Sequence, residues 1–198
     1  DDTVPVITLT GADVSQEVGG SYSDAGATAS DNIDGTITNN IVVAGQTVDP
    51  STVGVYTVTY NVSDAAGNPA VEVTRTVTIT ADVTVPVITL TGADVSQEVG
   101  GSYSDAGATA SDNIDGTITN NIVVAGQTVD PSTVGVYTVT YNVSDAAGNP
   151  AVEVTRTVTI TADVTVPVIT LTGADVSQEV GGSYSDAGAT ASDNIDGT

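Results

Sequence analysis

An internal repeat of 81 residues constrains this chain more than any other feature. The string VPVITLTGADVSQEVGGSYSDAGATASDNIDGT begins at Val4, again at Val85 and again at Val166. Residues 1–81 and 82–162 differ at one position, where Asp2 corresponds to Val83, and residues 163–198 repeat the start of the unit. Self-similarity at a fixed period is the signature of tandem structural units. The sequence therefore predicts several copies of one fold.

The length of the repeat sets the expected number of domains. A segment of 81 residues is long enough for one small hydrophobic core. We predict one domain at residues 1–81, a second at 82–162 and the truncated start of a third at 163–198. An alternative phasing, produced by strand exchange between neighbours, leaves residues 1–36 as the fragment and places permuted domains at 37–117 and 118–198. Because the third copy stops inside a loop, we expect the chain to belong to a longer array.

Alternating side chains predict an all-β fold without helices. The clearest strand covers residues 54–63, in which Tyr56, Val58, Tyr60 and Val62 share one face. A second long strand is predicted at residues 71–80, with shorter strands at 4–10, 25–30 and 36–43 and near 15–18. Short strands at this spacing, joined by turns rich in Gly, Asp, Asn and Pro, are typical of a two-sheet β-sandwich.

One basic residue conflicts with this alternation. Arg75 shares its register with Val73 and Val77, so a regular strand would direct it into the core. We predict a β-bulge or an edge position that lets the guanidinium reach a carboxylate in a structural salt bridge.

The composition excludes several classes of function. The chain has 25 acidic residues, two arginines, no lysine and no histidine, for a formal charge of −23. Such a surface repels nucleic acid and anionic membranes and attracts cations, and no apolar run approaches the roughly 20 residues of a membrane helix. Without His, Cys or Lys, most acid–base and covalent schemes have no residues to perform them. We predict a protein that is not an enzyme, with no nucleic-acid partner and no membrane insertion in this segment.

The direction of the strands gathers acidic loops at one pole of each predicted domain. If the first strand leaves that pole, the second returns to it, so residues 30–35 lie beside the entering chain at Asp1, and the penultimate strand brings Asp64 there. Several carboxylates with Asn and backbone carbonyl oxygens, and no thiolate or imidazole, suit Ca²⁺. We predict Ca²⁺ at this pole, beside the linker to the neighbouring copy. The candidate ligands are Asp1, Asp31, Asn32, Asp34 and Asp64, then Asp82, Asp112, Asn113, Asp115 and Asp145, then Asp163, Asp193 and Asp196.

A structural role for these residues stays open as the alternative, since Asp and Asn also favour solvated turns. The loop does not have the EF-hand pattern. With Asn32 at the third position of such a loop, Ser30 stands at the first and Ile41 stands where the bidentate Glu belongs.

Three motifs resemble a known group of domains. They are DxTVPVITL at residues 1–9, YSDAGATASDNIDG at 22–35 and GVYTVTYNVSDAAGN at 54–68. They resemble the bacterial Ig-like modules of pesticidal crystal proteins and large surface adhesins, and they are similar to hyalin-repeat domains. The resemblance implies tandem immunoglobulin-like β-sandwiches in a secreted or cell-surface bacterial protein, whose partners are the neighbouring identical modules.

This resemblance and the repetition together predict a structural spacer, stiffened by Ca²⁺ at the junctions between modules. Two other functions stay open. One is the repeat unit of an extracellular filament or sheet, built by lateral or end-to-end self-association. The other is an Ig-like module that binds a glycan or a protein through its loops.

Overall fold

Strands provide nearly all of the regular secondary structure, and the predicted all-β class is confirmed. The computed structural model describes residues 1–197. It divides into two compact units, one formed by Asp1–Thr84 with Asp112–Gly116, the other by residues 85–111 together with those from 117 onward. Among the described residues, no helix has both the length and the apolar character that crossing a membrane requires.

The first copy of the repeat contains seven strands and one turn of 3₁₀-helix. They are β1 (Val6–Leu9), β2 (Val14–Glu17), β3 (Ala27–Asp31), β4 (Gly35–Thr36), the 3₁₀ turn Thr38–Asn40, β5 (Val42–Gly45), β6 (Gly54–Asn61) and β7 (Val73–Thr80). One sheet has the order β1-β3-β4, and the other has the order β2-β7-β6-β5. All neighbouring strands are antiparallel except β2 and β7, which pair in parallel.

Side chains from both sheets form the core of this copy. Ile7 and Ala29 face inward from the three-stranded sheet, and Val58 and Tyr60 face them from β6. Tyr60 and Val77 have no exposed surface. Each long strand therefore buries one face, as the alternation of its sequence predicts, and the two sheets form a sandwich.

The following copies repeat this arrangement. Their strands are β8 (Val87–Leu90), β9 (Val95–Glu98), β10 (Ala108–Asp112), β11 (Gly116–Thr117), β12 (Val123–Gly126), β13 (Gly135–Asn142), β14 (Val154–Thr161), β15 (Val168–Leu171) and β16 (Ala189–Ser192), with a 3₁₀ turn at Thr119–Asn121. The sheets have the orders β11-β10-β8 and β12-β13-β14-β9, and β15 pairs with β16. The second copy therefore has the topology of the first, and in the third copy β15 and β16 pair as β1 and β3 do.

The segment predicted as one strand at residues 36–43 is divided in the structure, so that prediction is wrong. It forms β4, the 3₁₀ turn and β5, and β5 belongs to the other sheet. The cause is Thr38, whose Oγ1 accepts a hydrogen bond from Ala29 N at 3.0 Å and donates one to Ala29 O at 3.3 Å. The hydroxyl thus takes the place of a backbone carbonyl as acceptor for Ala29 N, while Ala29 O also accepts from Ile37 N at 3.0 Å.

Arg75 occupies a regular stretch of β7, so the predicted bulge is wrong. The pairing of β6 with β7 is continuous from Gly54 opposite Ile79 to Tyr60 opposite Val73, and on the other side of β7 the ladder with β2 covers Val77 to Thr80, beyond Arg75. The side chain therefore points into the core, where it is 1% exposed.

A polar network compensates the buried guanidinium. Arg75 Nη1 bonds the carboxylate of Asp24, and its Nη2 donates to Thr10 O at 2.5 Å and Gly26 O at 3.1 Å. Tyr60 Oη donates to the same Asp24 oxygen at 2.6 Å. Burial alone would raise the pKa of Asp24, but the hydrogen bonds from Tyr60 and Gly26 N and the charge of Arg75 together lower it. The second copy has the same network in Asp105, Tyr141 and Arg156.

Candidate metal centre

Three carboxylates converge at one end of the first copy. Asp1 precedes β1, Asp31 is the last residue of β3, and Asp64 lies in the connection that follows β6. One oxygen of each lies within 4.8 Å of the others. Strand direction brings these positions together, because β3 returns beside the start of β1 and β6 runs towards the same end.

The side chain of Asp31 leaves one oxygen available. Its Oδ1 accepts hydrogen bonds from Ile33 N at 2.8 Å and Asp34 N at 3.1 Å, which close the tight turn after β3. Its Oδ2 is buried and has no hydrogen-bond donor. The same oxygen is left in this state at Asp112 and Asp193. A buried carboxylate oxygen without a donor is costly, and each of these oxygens is available to a ligand.

The side chain of Asp64 is held in place from the other side. Asp64 is 7% exposed, and it accepts hydrogen bonds from Asn68 N and Asn68 Nδ2, both at 2.8 Å. Asn68 Nδ2 also donates to Asp1 O at 3.0 Å, so one amide connects the hairpin to the entering chain. Asn68 was not among the residues predicted for the site; its position four residues after Asp64 in the turn was the signal that could have pointed to it.

Hydrogen bonds keep both Asp31, which is half-buried, and Asp64, which is buried, ionised. The N–H groups of Ile33 and Asp34 lower the pKa of Asp31. Burial would raise the pKa of Asp64, but the hydrogen bonds from Asn68 outweigh it and the pKa is lowered. At neutral pH both side chains therefore carry the negative charge that a cation would bind.

Two other predicted ligands of the first copy have partners in the loops. Asp34 Oδ2 accepts a hydrogen bond from Ala65 N at 2.8 Å, which ties the turn after β3 to the connection that contains Asp64. Asn32 Nδ2 donates to Thr3 Oγ1 at 3.2 Å. The amide nitrogen of Asn32 is therefore directed to the entering chain.

Carboxylates of the later copies also converge, although not in the same combination as in the first copy. Oxygens of Asp82 and Asp115 lie within 4.8 Å of each other in the first compact unit, and oxygens of Asp163, Asp193 and Asp196 lie within 4.8 Å of one another in the second.

Asp112 Oδ1 accepts a hydrogen bond from Ile114 N at 2.8 Å, as Asp31 Oδ1 does from Ile33 N. Asp145 is 8% exposed and accepts from Asn149 N at 2.7 Å. Asn113 bonds Glu17, a residue that the sequence did not single out as part of a site.

The donor set fits a hard divalent cation. Two oxygens bound to one Ca²⁺ at about 2.4 Å each are separated by at most about 4.8 Å, and one oxygen from each of Asp1, Asp31 and Asp64 lies within 4.8 Å of the others. The arginines of the chain, Arg75 and Arg156, are both bonded to other carboxylates. Neither therefore neutralises the converging charges. The ligand assignment itself stays a prediction.

The sequence matches the family model described as "Bacterial surface protein, Ig-like domain" at residues 7–79 and again at 88–160. The chain belongs to this family. The two matches fall on the first and second copies of the repeat, so the copies are tandem Ig-like domains of a bacterial surface type.

Two curated relatives support the same domain type. Pesticidal crystal protein Cry22Aa of Bacillus thuringiensis is 35% identical over 135 residues, which are 66% of this chain and 18% of that protein. Hyalin of Strongylocentrotus purpuratus is 32% identical over 198 residues, covering 91% of this chain and 16% of that protein. The chain spans less than a fifth of the length of either relative.

Solved structures show weaker likenesses. The ZmpB protein of Clostridium perfringens, in a structure with a catalytic domain and two CBM51 domains, matches with a TM-score of 0.49 and 12% identity over 86% of this chain and 33% of that one. A lipoprotein of Bacteroides thetaiotaomicron matches with a TM-score of 0.34 and 18% identity over 74% of this chain and 96% of that one. These likenesses are too low to bear on function.

Proposed function

We propose that this chain is an extender segment of a secreted or cell-surface bacterial protein of the adhesin type. Its family is that of bacterial surface Ig-like domains, which supports a surface location. The first two copies differ at a single residue, Asp2 against Val83. Near-identity favours a role that every copy performs alike, such as adding length, because binding modules that recognise different ligands diverge. The segment would hold a distal binding domain away from the cell.

The second part of the proposal is that Ca²⁺ occupies the carboxylate group at the end of each copy. The observation that carries it is the buried, donor-free Oδ2 of Asp31, repeated at Asp112 and Asp193. When bound, Ca²⁺ supplies positive charge that offsets the repulsion among the converging carboxylates.

The protein's own groups decide what such a cation would fix. Asp1 lies in the chain that enters the copy, Asp31 ends β3, and Asp64 lies in the connection after β6. Ligation of all three would hold the entering chain against two loops of the domain. A segment held in this way cannot pivot freely, so the spacing role would depend on calcium.

Chains with two, four and six complete copies test the spacing role. Small-angle scattering in calcium should show a maximum dimension that rises by a constant increment per copy, and chelator should lower it, because freed entering segments permit bending. Analytical ultracentrifugation should show one monomeric species at every concentration. A dimension that does not grow with copy number would rule out the extender.

One observation favours a second candidate, lateral assembly into a filament or sheet. β5 is the last strand of its sheet, and Val42 and Val43 in it are 62% and 54% exposed. An exposed apolar edge strand is a template for pairing with another chain. Sedimentation coefficients that increase with protein concentration, and that fall in the variant Val43→Lys, would support this candidate over the monomeric extender.

A further inference from the structure

The carboxylate of Glu17 is an acceptor for three separate groups. Glu17 is the last residue of β2. Its Oε1 accepts from Val83 N at 3.3 Å, its Oε2 accepts from Asn113 Nδ2 at 3.1 Å, and Thr84 Oγ1 lies 3.1 Å and 2.8 Å from the two oxygens. Residues 112–116 belong to the same compact unit as Asp1–Thr84. One side chain thus bonds both the segment after β7 and the loop after β10.

An apolar contact lies beside these hydrogen bonds. Gly19 has φ +88°, and a Cβ placed on it would lie 3.0 Å from Cγ2 of Ile114. Ile114 is half-buried, whereas Ile33, its counterpart in the first copy, is 70% exposed. Since the two isoleucines lie in identical sequences, the difference in burial comes from the contact at Gly19.

The same arrangement recurs in the second compact unit. Glu98 accepts hydrogen bonds from Val164 N at 3.3 Å, from Thr165 Oγ1 at 2.8 Å and from Asn194 Nδ2 at 3.0 Å. A Cβ on Gly100 would lie 2.8 Å from Cγ2 and 3.8 Å from Cβ of Ile195. The contact therefore occurs at both places where a complete copy is followed by another.

We infer that the Glu and Gly at the end of the second strand of each copy form a binding seat for the Asn-Ile dipeptide of the next copy's acidic loop. The partner is thus another copy of this repeat. Hydrogen bonds to a carboxylate are about twice as strong as neutral ones, and the isoleucine removes apolar surface from water. Neither interaction requires a metal ion, so the seat holds the following loop in the absence of calcium as well, and its failure would not affect the calcium site.

The lack of cysteine in the chain permits a direct test by disulfide trapping. Disulfides form where Cβ atoms are about 3.5–4.5 Å apart, and the Gly100 and Ile195 positions meet this condition at 3.8 Å. In chelator and mild oxidant, the double variant Gly100→Cys/Ile195→Cys should form an intramolecular disulfide, seen as a faster-migrating band on a non-reducing gel. Calcium should not be needed.

The pair Gly19→Cys/Ile33→Cys is the matched control. Gly19 has the same φ as Gly100, +88°, but among the residues that the structure describes, Ile114 and not Ile33 comes within 4 Å of a Cβ there. This pair should not cross-link. If it links as readily as the Gly100 and Ile195 pair, or if the latter does not link at all, the seat is not populated and the inference is overturned.

A third variant isolates the role of the carboxylate. Adding Glu98→Ala to the Gly100→Cys/Ile195→Cys background should slow disulfide formation on the order of 10-fold, because the donors of Val164, Thr165 and Asn194 lose their common acceptor. Asn194→Ala should slow it to a smaller extent, since one of these bonds is lost. Unchanged rates in both variants would show that the glutamate does not hold the loop and would also overturn the inference.

Discussion

Removal of the Asp24 carboxylate should strongly destabilise the first copy of the repeat. Arg75 is 1% exposed, and the substitution Asp24→Ala leaves its charge in the core without an anionic partner. Breaking a buried ion pair on one side costs about 3–5 kcal/mol. Because Arg75 keeps its bonds to Thr10 O, Gly26 O and Tyr60 Oη, we expect a loss near the lower end, about 3 kcal/mol.

This loss is a large share of the stability of so small a domain. At roughly 0.05–0.15 kcal/mol per residue, a domain of this size has a free energy of unfolding of roughly 4–12 kcal/mol. A change of about 3 kcal/mol should lower the melting temperature by roughly 12–24 °C. The side chain of Asp24 is 26% exposed, so water reaches the site and supports the lower figure for the energy.

Urea denaturation followed by circular dichroism measures this loss. Asp2→Val is the control, because it also removes one negative charge and the second copy naturally has Val83 at that position. This substitution should change the free energy of unfolding by less than about 0.5 kcal/mol. Asp105→Ala should destabilise the second copy as Asp24→Ala does the first. If Asp24→Ala costs no more than Asp2→Val, Arg75 does not need a buried anion and the reasoning fails.

Three further predictions concern the same core and its turns. Tyr60→Phe should cost about 1–2 kcal/mol in urea denaturation, since it deletes a fully buried hydroxyl that donates to Asp24; a loss below 0.5 kcal/mol on the same assay would show that the hydroxyl is dispensable. Gly45→Ala should lower the melting temperature far more than Gly67→Ala. Both glycines have φ near +90°, but a Cβ on Gly45 would collide with Thr57 O, whereas a Cβ on Gly67 would meet open space. Equal effects of the two substitutions would contradict the collision. Because the folded state lowers the pKa of Asp24, the unfolded chain takes up the proton first as pH falls. The contribution of Asp24 to stability is therefore complete above about pH 5 and is lost as pH falls below about 4. The free energy of unfolding, measured from pH 7 to pH 2, should decline less steeply in Asp24→Ala than in the unaltered chain, and equal slopes would refute this.

The parts of the fold that local patterns determine were predictable from the sequence. The alternation of Tyr56, Val58, Tyr60 and Val62 placed β6 and its buried face correctly, because period-2 alternation depends only on the neighbours in the strand. Arg75 was correctly expected to meet a carboxylate. Its environment was not predictable, since the partner comes from an irregular segment 51 residues earlier.

The division of residues 36–43 also depended on a contact outside the segment. Thr38 bonds the backbone of Ala29, and local secondary-structure propensity does not predict that contact. Val71, the first residue of the strand predicted at 71–80, precedes β7 and is 78% exposed.

For the candidate metal centre, strand direction correctly gathered Asp1, Asp31 and Asp64 at one end of the copy. The orientation of each side chain could not be foreseen, because it depends on particular donors. The amide nitrogen of Asn32 bonds Thr3, and the predicted role of Asn32 as a ligand stays a prediction. Glu17 was overlooked because its partners lie 66 to 96 residues later in the chain.

Calcium titration of the metal-stripped chain tests the central proposal most directly. Extracellular calcium modules bind with Kd values on the order of 0.1–1 mM, and ligand at 100 times Kd stabilises a protein by about 2.7 kcal/mol. We therefore predict binding heat in calorimetry and a higher melting temperature in 10 mM calcium, an excess of about 100-fold over a Kd of 0.1 mM, than in chelator. Asp31→Asn, which keeps the Oδ1 acceptor of the turn, should reduce both, and Asp2→Asn should reduce neither. No binding heat and identical melting curves in calcium and chelator would contradict the proposal.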